Sequence, residues 1–476
     1  MTDVYATARQ MLADLAARKI SARELLDLHV ARNAAMGGKL NAVIATDLEH
    51  AQAAAKSIDD ARAHGAALGT LAGLPMTIKD GFDVLGMPAV CGNPAWAARD
   101  KACVDADMVN AARKSGAVIW GKTNVPFMLS DFQTYNAIHG TTNNPWDVTR
   151  TPAGSSGGAA AALAAGITPL EIGSDIGGSL RHPANFCGVT ALKPTWGVLS
   201  QRGHIPPAPG SYYESDLGVV GPMARDVGDL KLLWEVLRGK PAATPKPVTD
   251  MHIAVWDEEP GWPLATEVRK GVARAAAALV KAGARVEHAK PEIDGARMMD
   301  FYRVLLMAII GAGLPEEFTR PLEAMRDADR KLVRAGGEGA ADASTRLGMA
   351  GSYRDVVWAE ARRQEAKDRL AAFFADYDAI LMPIGMVPPF THNSEVSFQD
   401  RVLEVDGTAV PYPAMLNWIA PATVLHAPAL AVQAGHTADG LPMGVQIVGR
   451  WNEEDRLFDL AAAVERDLGG FVAPPL

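Results

Sequence analysis

Three short segments of the 476-residue chain carry side chains able to act together on a substrate. The first, Gly73-Leu74-Pro75-Met76-Thr77-Ile78-Lys79-Asp80, ends an apolar run on a lysine. An ordinary lysine there sits at a solvated strand end. A buried one is pushed by desolvation toward the neutral amine, which is a base. The second, Thr151-Pro152-Ala153-Gly154-Ser155-Ser156-Gly157-Gly158, runs straight into the alanine-rich stretch from Ala159 to Gly166. Flexible Ser/Gly linkers are not normally followed at once by a sequence suited to a buried helix, so a closely packed loop bearing hydroxyls is the better reading. The third is Gly173-Ser174-Asp175-Ile176-Gly177-Gly178-Ser179-Leu180-Arg181. Glycines ahead of a serine let successive N–H groups point one way, as stabilising an oxyanion requires; an ordinary tight turn uses the same residues.

Other chemistries are less well served. Gly116-Ala117-Val118-Ile119-Trp120-Gly121-Lys122-Thr123 fits the phosphate-loop pattern letter for letter. That pattern works only between a strand and a helix whose first N–H groups face phosphate. Here its variable positions read as a strand themselves, and Pro126 follows closely, so no nucleotide site is expected. The eleven histidines include no H-E-x-x-H, and no metal or other cofactor is expected. Acidic residues outnumber basic ones, 55 to 46, which argues against a nucleic-acid partner. The most apolar stretch, Val304 to Leu314, has eleven residues where a membrane span needs roughly 20. The start, Met1-Thr2-Asp3-Val4-Tyr5, lacks the features of a secretion signal. Cys91, Cys103 and Cys187 form no disulfide framework. A soluble, cytoplasmic protein without membrane partners is expected.

The elements that must position these residues can be read in outline. Residues 1–66 read as helices. Ser21-Ala22-Arg23-Glu24 is a capping box, and Thr46-Asp47-Leu48-Glu49 repeats the signal before a helix ending near Gly65. Short β-prone runs follow at Leu74 to Ile78, Val118 to Trp120, Pro169 to Ile172 and Val189 to Lys193, separated by turns and alanine-rich helices. This alternation predicts an α/β fold, a central mixed sheet with helices on both faces. Residues 240–250 read as a linker or exposed loop. His252 to Trp256, a helix near Glu267 to Ala282, and Ala284 to His288 make a βαβ unit. A helical block spans about Asp294 to Asp376. Late strands at Ala379 to Met382 and Met443 to Val448 are expected to rejoin the early sheet, making residues 1–476 one domain. Within it, 1–66 are N-terminal helices, 67–235 the catalytic core and 290–375 a helical cover inserted before the last strands. Met298, Met299, Phe301, Tyr302, Leu305, Leu306 and Met307 in that cover suit either an apolar pocket or core packing. Tyr135, Tyr412 and Trp418 lie in loop-like stretches and are candidates for lining a pocket, with buried structural aromatics the alternative.

Taken together, the Lys79 segment, Gly154-Ser155-Ser156-Gly157-Gly158 and Asp175-Ile176-Gly177-Gly178-Ser179 closely resemble the amidase signature family of amide hydrolases. The order Lys, Ser, Ser and the 24-residue spacing from Ser155 to Ser179 also fit. So do Gly121-Lys122-Thr123-Asn124, Asn144-Pro145-Trp146, Leu192-Lys193-Pro194-Thr195, Gly221-Pro222-Met223-Ala224-Arg225 and Gly440-Leu441-Pro442-Met443-Gly444-Val445-Gln446. Residues 290–375 match nothing diagnostic, and Ala153 stands where many members have glycine.

The resemblance implies that Ser179 is the nucleophile, Ser155 a bridging serine joined to Gly154 by a cis peptide bond, and Lys79 the base. It implies an oxyanion hole from the N–H groups of Ile176, Gly177, Gly178 and Ser179. Ser156 is expected to support Lys79 and Ser155, and Asp175 and Arg181 to pair beside the nucleophile. The implied reaction converts a small-molecule carboxylic amide to a carboxylate and ammonia or a small amine. Among the branches, Arg202-Gly203-His204-Ile205-Pro206-Pro207-Ala208-Pro209-Gly210 does not resemble the A chain of the tRNA-dependent amidotransferases. The expected extra C-terminal domain of allophanate hydrolases and the N-terminal hydrophobic segment of membrane-anchored fatty-acid amide hydrolases are not seen. A stand-alone acylamide amidohydrolase is the expectation; a partner-dependent or non-hydrolytic subunit is the alternative. Homodimerisation is common among soluble enzymes, but no interface is legible.

Overall fold

The computed structural model describes residues 3–206 and 213–476. Of the segments read above, Met1-Thr2 in the stretch Met1 to Tyr5 and Pro207 to Gly210 in the stretch Arg202 to Gly210 lie outside the described residues. Among the described residues, two sheets dominate. The larger has eight strands in the order Arg285–His288, His252–Val255, Ala379–Pro383, Pro442–Gly449, Ala429–His436, Thr190–Lys193, Val219–Ala224 and Leu170–Asp175. The first three run parallel to one another and the remaining pairings are antiparallel, so the sheet is mixed, as expected. The late strands do rejoin the early ones: Ala429, Leu430 and Ala431 pair with Lys193, Leu192 and Ala191.

Helices cover both faces because the central strands are apolar on both. Along Ala429–His436, Leu430 and Val432 enter one core while Ala429 and Ala431 enter the other. Leu381 and Ile380 divide in the same way. Side chains of a strand alternate between faces, so a run with no polar face must be enclosed on both sides. One core holds the helices Ala8–Ala16, Val227–Arg238, Thr266–Lys281 and Glu454–Leu468. The other holds four of the five helices that make up the expected helical block at 295–373, Gly295–Gly311, Arg326–Ala335, Ala340–Ala350 and Tyr353–Phe373; the fifth, Glu316–Glu323, buries no residue.

The N-terminal reading needs one correction. The capping box forms, with Ser21 Oγ accepting from the Glu24 N–H and Glu24 accepting from the Ser21 N–H, and helix Ala22–Leu40 follows. However, Val43–Thr46 is a strand, and Asp47 rather than Thr46 caps helix Leu48–Ala63. Val43–Thr46 pairs antiparallel with Val118–Thr123, which pairs parallel with Pro75–Lys79. This three-stranded sheet is separate from the larger one. The phosphate-loop lookalike is therefore strand from Val118 onward. Lys122 is fully buried; its Nζ donates to the carbonyls of Phe82 (2.7 Å) and Pro88 (2.9 Å) and pairs with Asp80 at 2.7 Å.

Candidate active site

The three segments meet where the edge strand of the large sheet passes the small sheet. Thr77 ties the two together: its N–H donates to Thr168 Oγ1 (3.2 Å) and its hydroxyl to Glu171 (2.7 Å) on strand Leu170–Asp175. Burial pushes the Glu171 carboxyl up to about 8. Two residues past Thr77, on the same face of its strand, Lys79 points at the same neighbour. Lys79 is fully buried, and desolvation pushes its ammonium down to about 7, against the opposing pull of Cys91, Asp175 and Glu171. Nζ lies 2.8 Å from Ser155 Oγ, 2.9 Å from Ser174 Oγ and 3.4 Å from the Ser174 carbonyl.

Ser155 is delivered by a loop packed against backbone. The Gly154–Ser155 peptide is cis. A Cβ on Gly158 would lie 2.4 Å from the Asn124 nitrogen, so only glycine allows helix Gly157–Ala164 to start there. Every residue of that helix is buried, which is why it is built of Gly, Ala and Leu. Ala153 has φ of 62°, in the left-handed region that explains a preference for glycine at this position. Ser156 Oγ donates to the Ser174 carbonyl (3.4 Å), the acceptor it shares with Lys79, and the Ser156 N–H donates to the Ser179 carbonyl (3.2 Å). Ser156 thus supports the Lys79 acceptor rather than bonding Lys79 or Ser155 itself.

Ser179 sits in the turn between strand Leu170–Asp175 and helix Arg181–Cys187. Asp175 and Arg181 pair as expected, bidentate at 3.0 Å for both contacts, and both side chains are fully buried. Burial opposes ionisation of Asp175, but the Arg181 guanidinium outweighs it and holds the carboxyl well below the usual range. Asp175 also accepts from the N–H groups of Gly178 (2.8 Å) and Leu180 (3.1 Å), which closes the turn. Of the four donors expected for an oxyanion hole, Gly178 is thereby engaged within the turn; the others are Ile176, Gly177 and Ser179. Gly178 has φ of 93°, and a Cβ there would lie 2.4 Å from the His182 ring. The remaining Arg181 donors reach Ile419 O, Gln446 Oε1 and Thr423 Oγ1.

Three further residues reach the site that sequence reasoning does not single out for it. Ser174 has no role in the signature itself, although strand alternation places it opposite Asp175. His204 lies 2.8 Å from Ser174 Oγ through Nε2. Tyr302, which by sequence suits either pocket or core, donates its hydroxyl to the Ile176 carbonyl at 3.0 Å, so helix Gly295–Gly311 reaches the turn that bears Ser179. The rest of that apolar group, Met298, Met299, Phe301, Leu305 and Leu306, is buried in the core, with Met307 packed against it.

The three candidate pocket aromatics belong to bonded networks. Tyr135, on the short strand Tyr135–Asn136, and Tyr412, fully buried, both donate to Asp131, at 2.9 and 2.8 Å. Arg401 pairs with the same carboxylate at 2.6 Å. Trp418 is buried among Trp262 and its neighbours, its Nε1–H on the Pro263 carbonyl at 2.9 Å. From the same segment, Leu416 packs against Gly177 and Ile419 against Gly178.

The chain matches the amidase family over residues 24–458. It belongs to that family, the amidase signature enzymes. It is 32% identical to the A chain of the glutamyl-tRNA(Gln) amidotransferase of Salinispora tropica, over the whole of both chains. Among solved structures it resembles a crystal structure of an amidase, with TM-score 0.80 and 26% identity over 98% of this chain and all of that one. It also resembles a chain of a vestigial complex bearing on the origins of an s-triazine catabolic enzyme, with TM-score 0.81 and 28% identity over 98% of this chain and all of that one. The mixed sheet flanked by helices is the fold of these enzymes, whose chemistry is hydrolysis of carbon–nitrogen bonds. Among the described residues, no group of His, Cys, Asp and Glu is placed to hold a metal ion, and no helix is long and apolar enough to cross a membrane.

Proposed function

We propose that this amidase signature enzyme is a stand-alone acylamide amidohydrolase with Ser179 as nucleophile, Ser155 as proton bridge and Lys79 as base. The observation that carries the reading is Lys79: fully buried, shifted to about 7, with Nζ 2.8 Å from Ser155 Oγ. A serine hydroxyl needs such a neighbour to become a nucleophile. Ser155 passes its proton to the neutral Lys79 amine and takes the proton of Ser179, whose Oγ bonds to the amide carbon. The carbonyl oxygen becomes an oxyanion facing the N–H groups of Ile176, Gly177 and Ser179. As the carbon–nitrogen bond breaks, the proton returns through Ser155 to the leaving nitrogen. Water then releases the acyl group from Ser179 by the same relay. Ammonia or a small amine is the leaving side, and free thiols at Cys91, Cys103 and Cys187 accord with a cytoplasmic location.

A fluorophosphonate probe tests this without a known substrate. Adduct formation at Ser179, located by mass spectrometry and lost in Lys79→Ala, is the expected result. A folded chain that takes no label would overturn the assignment. The likeness to amidotransferase A chains favours a second reading, a protein that works only with partner chains. It predicts labelling at Ser179 with turnover of free amides appearing only after partner chains are added.

Tyr302 gives a finer check. Because the peptide is planar and trans, holding the Ile176 carbonyl also fixes the direction of the Gly177 N–H. Tyr302→Phe removes a hydrogen bond worth about 1 kcal/mol, so kcat should fall about five-fold with little change in KM. A change confined to KM would place Tyr302 in substrate binding instead.

A further inference from the structure

His204 is held against the site by backbone. The Ile205 N–H donates to the Gly81 carbonyl and the Asp83 N–H to the Gly203 carbonyl, each at 2.8 Å, so its loop is fastened just past Lys79. Its ring packs edge-on against Phe82, with centroids 4.9 Å apart. Nε2 lies 2.8 Å from Ser174 Oγ, and Ser174 Oγ lies 2.9 Å from Lys79 Nζ. The Pro206 carbonyl also faces this ring. Desolvation, together with the charge of Lys79, pushes the imidazole down to about 3, so the ring is neutral and carries one N–H. In the tautomer whose N–H is turned to the Pro206 carbonyl, Nε2 is the acceptor and the Ser174 hydroxyl is the donor.

This polarity decides what Lys79 can do. A neutral amine has two N–H groups and one lone pair. With the Ser174 proton turned to His204, Ser174 Oγ and the Ser174 carbonyl receive the two N–H groups. The lone pair is left for the Ser155 hydroxyl at 2.8 Å. Without His204, the Ser174 hydroxyl is free to donate to the amine and compete with Ser155. We propose that His204 is a positioning residue: by accepting the Ser174 hydroxyl proton, it reserves the Lys79 lone pair for Ser155. This rests on the assignment of Lys79 as the base in the reading above.

The readout is the rate of Ser179 labelling by a fluorophosphonate across pH, in the full chain. His204→Leu should slow labelling about 10- to 100-fold, as loss of alignment at a reacting group does. In a Ser174→Ala background, where the competing hydroxyl is absent, His204→Leu should change the rate less than about two-fold, since residues acting through a shared partner are coupled. The pH midpoint discriminates further. The other groups facing Lys79 are Cys91, Asp175 and Glu171, with Asp80 paired to Lys122, and all are unchanged by the substitution. A competing Ser174 donor stabilises the neutral amine, so the midpoint of His204→Leu should stay at or below that of wild type while the plateau falls. A merely structural role would loosen the packing, hydrate Lys79 and move the midpoint up toward the ordinary lysine range. An equal cost in both backgrounds, or an upward midpoint, overturns the proposal. If His204→Leu does not fold, His204→Ala carries the same comparison. Absence of labelling in the wild-type chain overturns the reading of Lys79 and Ser179 itself, which distinguishes the two failures.

Discussion

Lys79→Met, which keeps the apolar stem but removes the amine, should reduce amide turnover on the order of a thousand-fold, the scale of a positioned general base. Ser179→Ala should reduce it further, on the order of 10⁵-fold, as loss of an activated nucleophile does elsewhere. Both variants should keep the wild-type thermal transition within a few degrees. The pH dependence follows from the amine. In the proposed mechanism Lys79 acts when neutral, and burial pushes its ammonium down to about 7. The rate should therefore rise as pH increases through about 7 and level off above that, where a solvated lysine would still be charged. His204 and His182 are pushed down to about 3 and 4, and burial drives the Cys91 thiol up, so none of these three changes charge in this window; the neighbour of Lys79 that does is Glu171, pushed up to about 8. Single-turnover rates from pH 6 to 9 check this. A flat profile with chemistry limiting excludes Lys79 as the base, and a Ser179→Ala variant retaining a tenth of the rate excludes Ser179 as the nucleophile.

Arg181→Met should be the most damaging substitution for stability. It leaves Asp175 fully buried without its guanidinium, and breaking one side of a buried pair costs about 3 to 5 kcal/mol. Further acceptors at Ile419, Gln446 and Thr423 lose their donor as well. The loss should depend on pH with a definite sign. In the native chain the Asp175 carboxyl lies well below its unfolded value, so its contribution is present above about pH 4 and is lost only in stronger acid. In Arg181→Met, desolvation, the largest influence on the carboxyl, is opposed only by Lys193 and the N–H groups of Gly178 and Leu180, so the folded pKa should rise above the unfolded one. The variant then becomes relatively less stable as pH rises. Its deficit in urea unfolding should be largest near neutrality and shrink below about pH 4. A deficit independent of pH would mean that lost packing, rather than the unpaired carboxylate, dominates.

Much of this protein is legible in local pattern. The Ser21 and Glu24 capping box, the βαβ unit over His252–His288 and the alanine-rich helix after Gly158 are each set by neighbours within a few residues, and each is found in the fold. The pairing of Asp175 with Arg181 is legible because the two are six residues apart on one turn. Other features depend on segments distant in sequence. Val219–Ala224 carries a proline, which reads as a strand breaker, yet the strand forms between Leu170–Asp175 and Thr190–Lys193. Val43–Thr46 reads as part of a helical N-terminal region, and becomes a strand only because Val118–Thr123 lies beside it. The desolvation of Lys79 is decided by Thr77, Glu171 and the loops packed around it, because burial belongs to the assembled fold and not to a residue type. Ser174 and His204 are 30 residues apart, and Tyr302 and Ile176 are 126 apart. Which residues are candidates for the chemistry is written in the chain, since a signature of small residues and hydroxyls at fixed spacing is local. Their protonation and the direction of their hydrogen bonds arise only on folding, since both depend on which distant groups exclude water and accept protons around them.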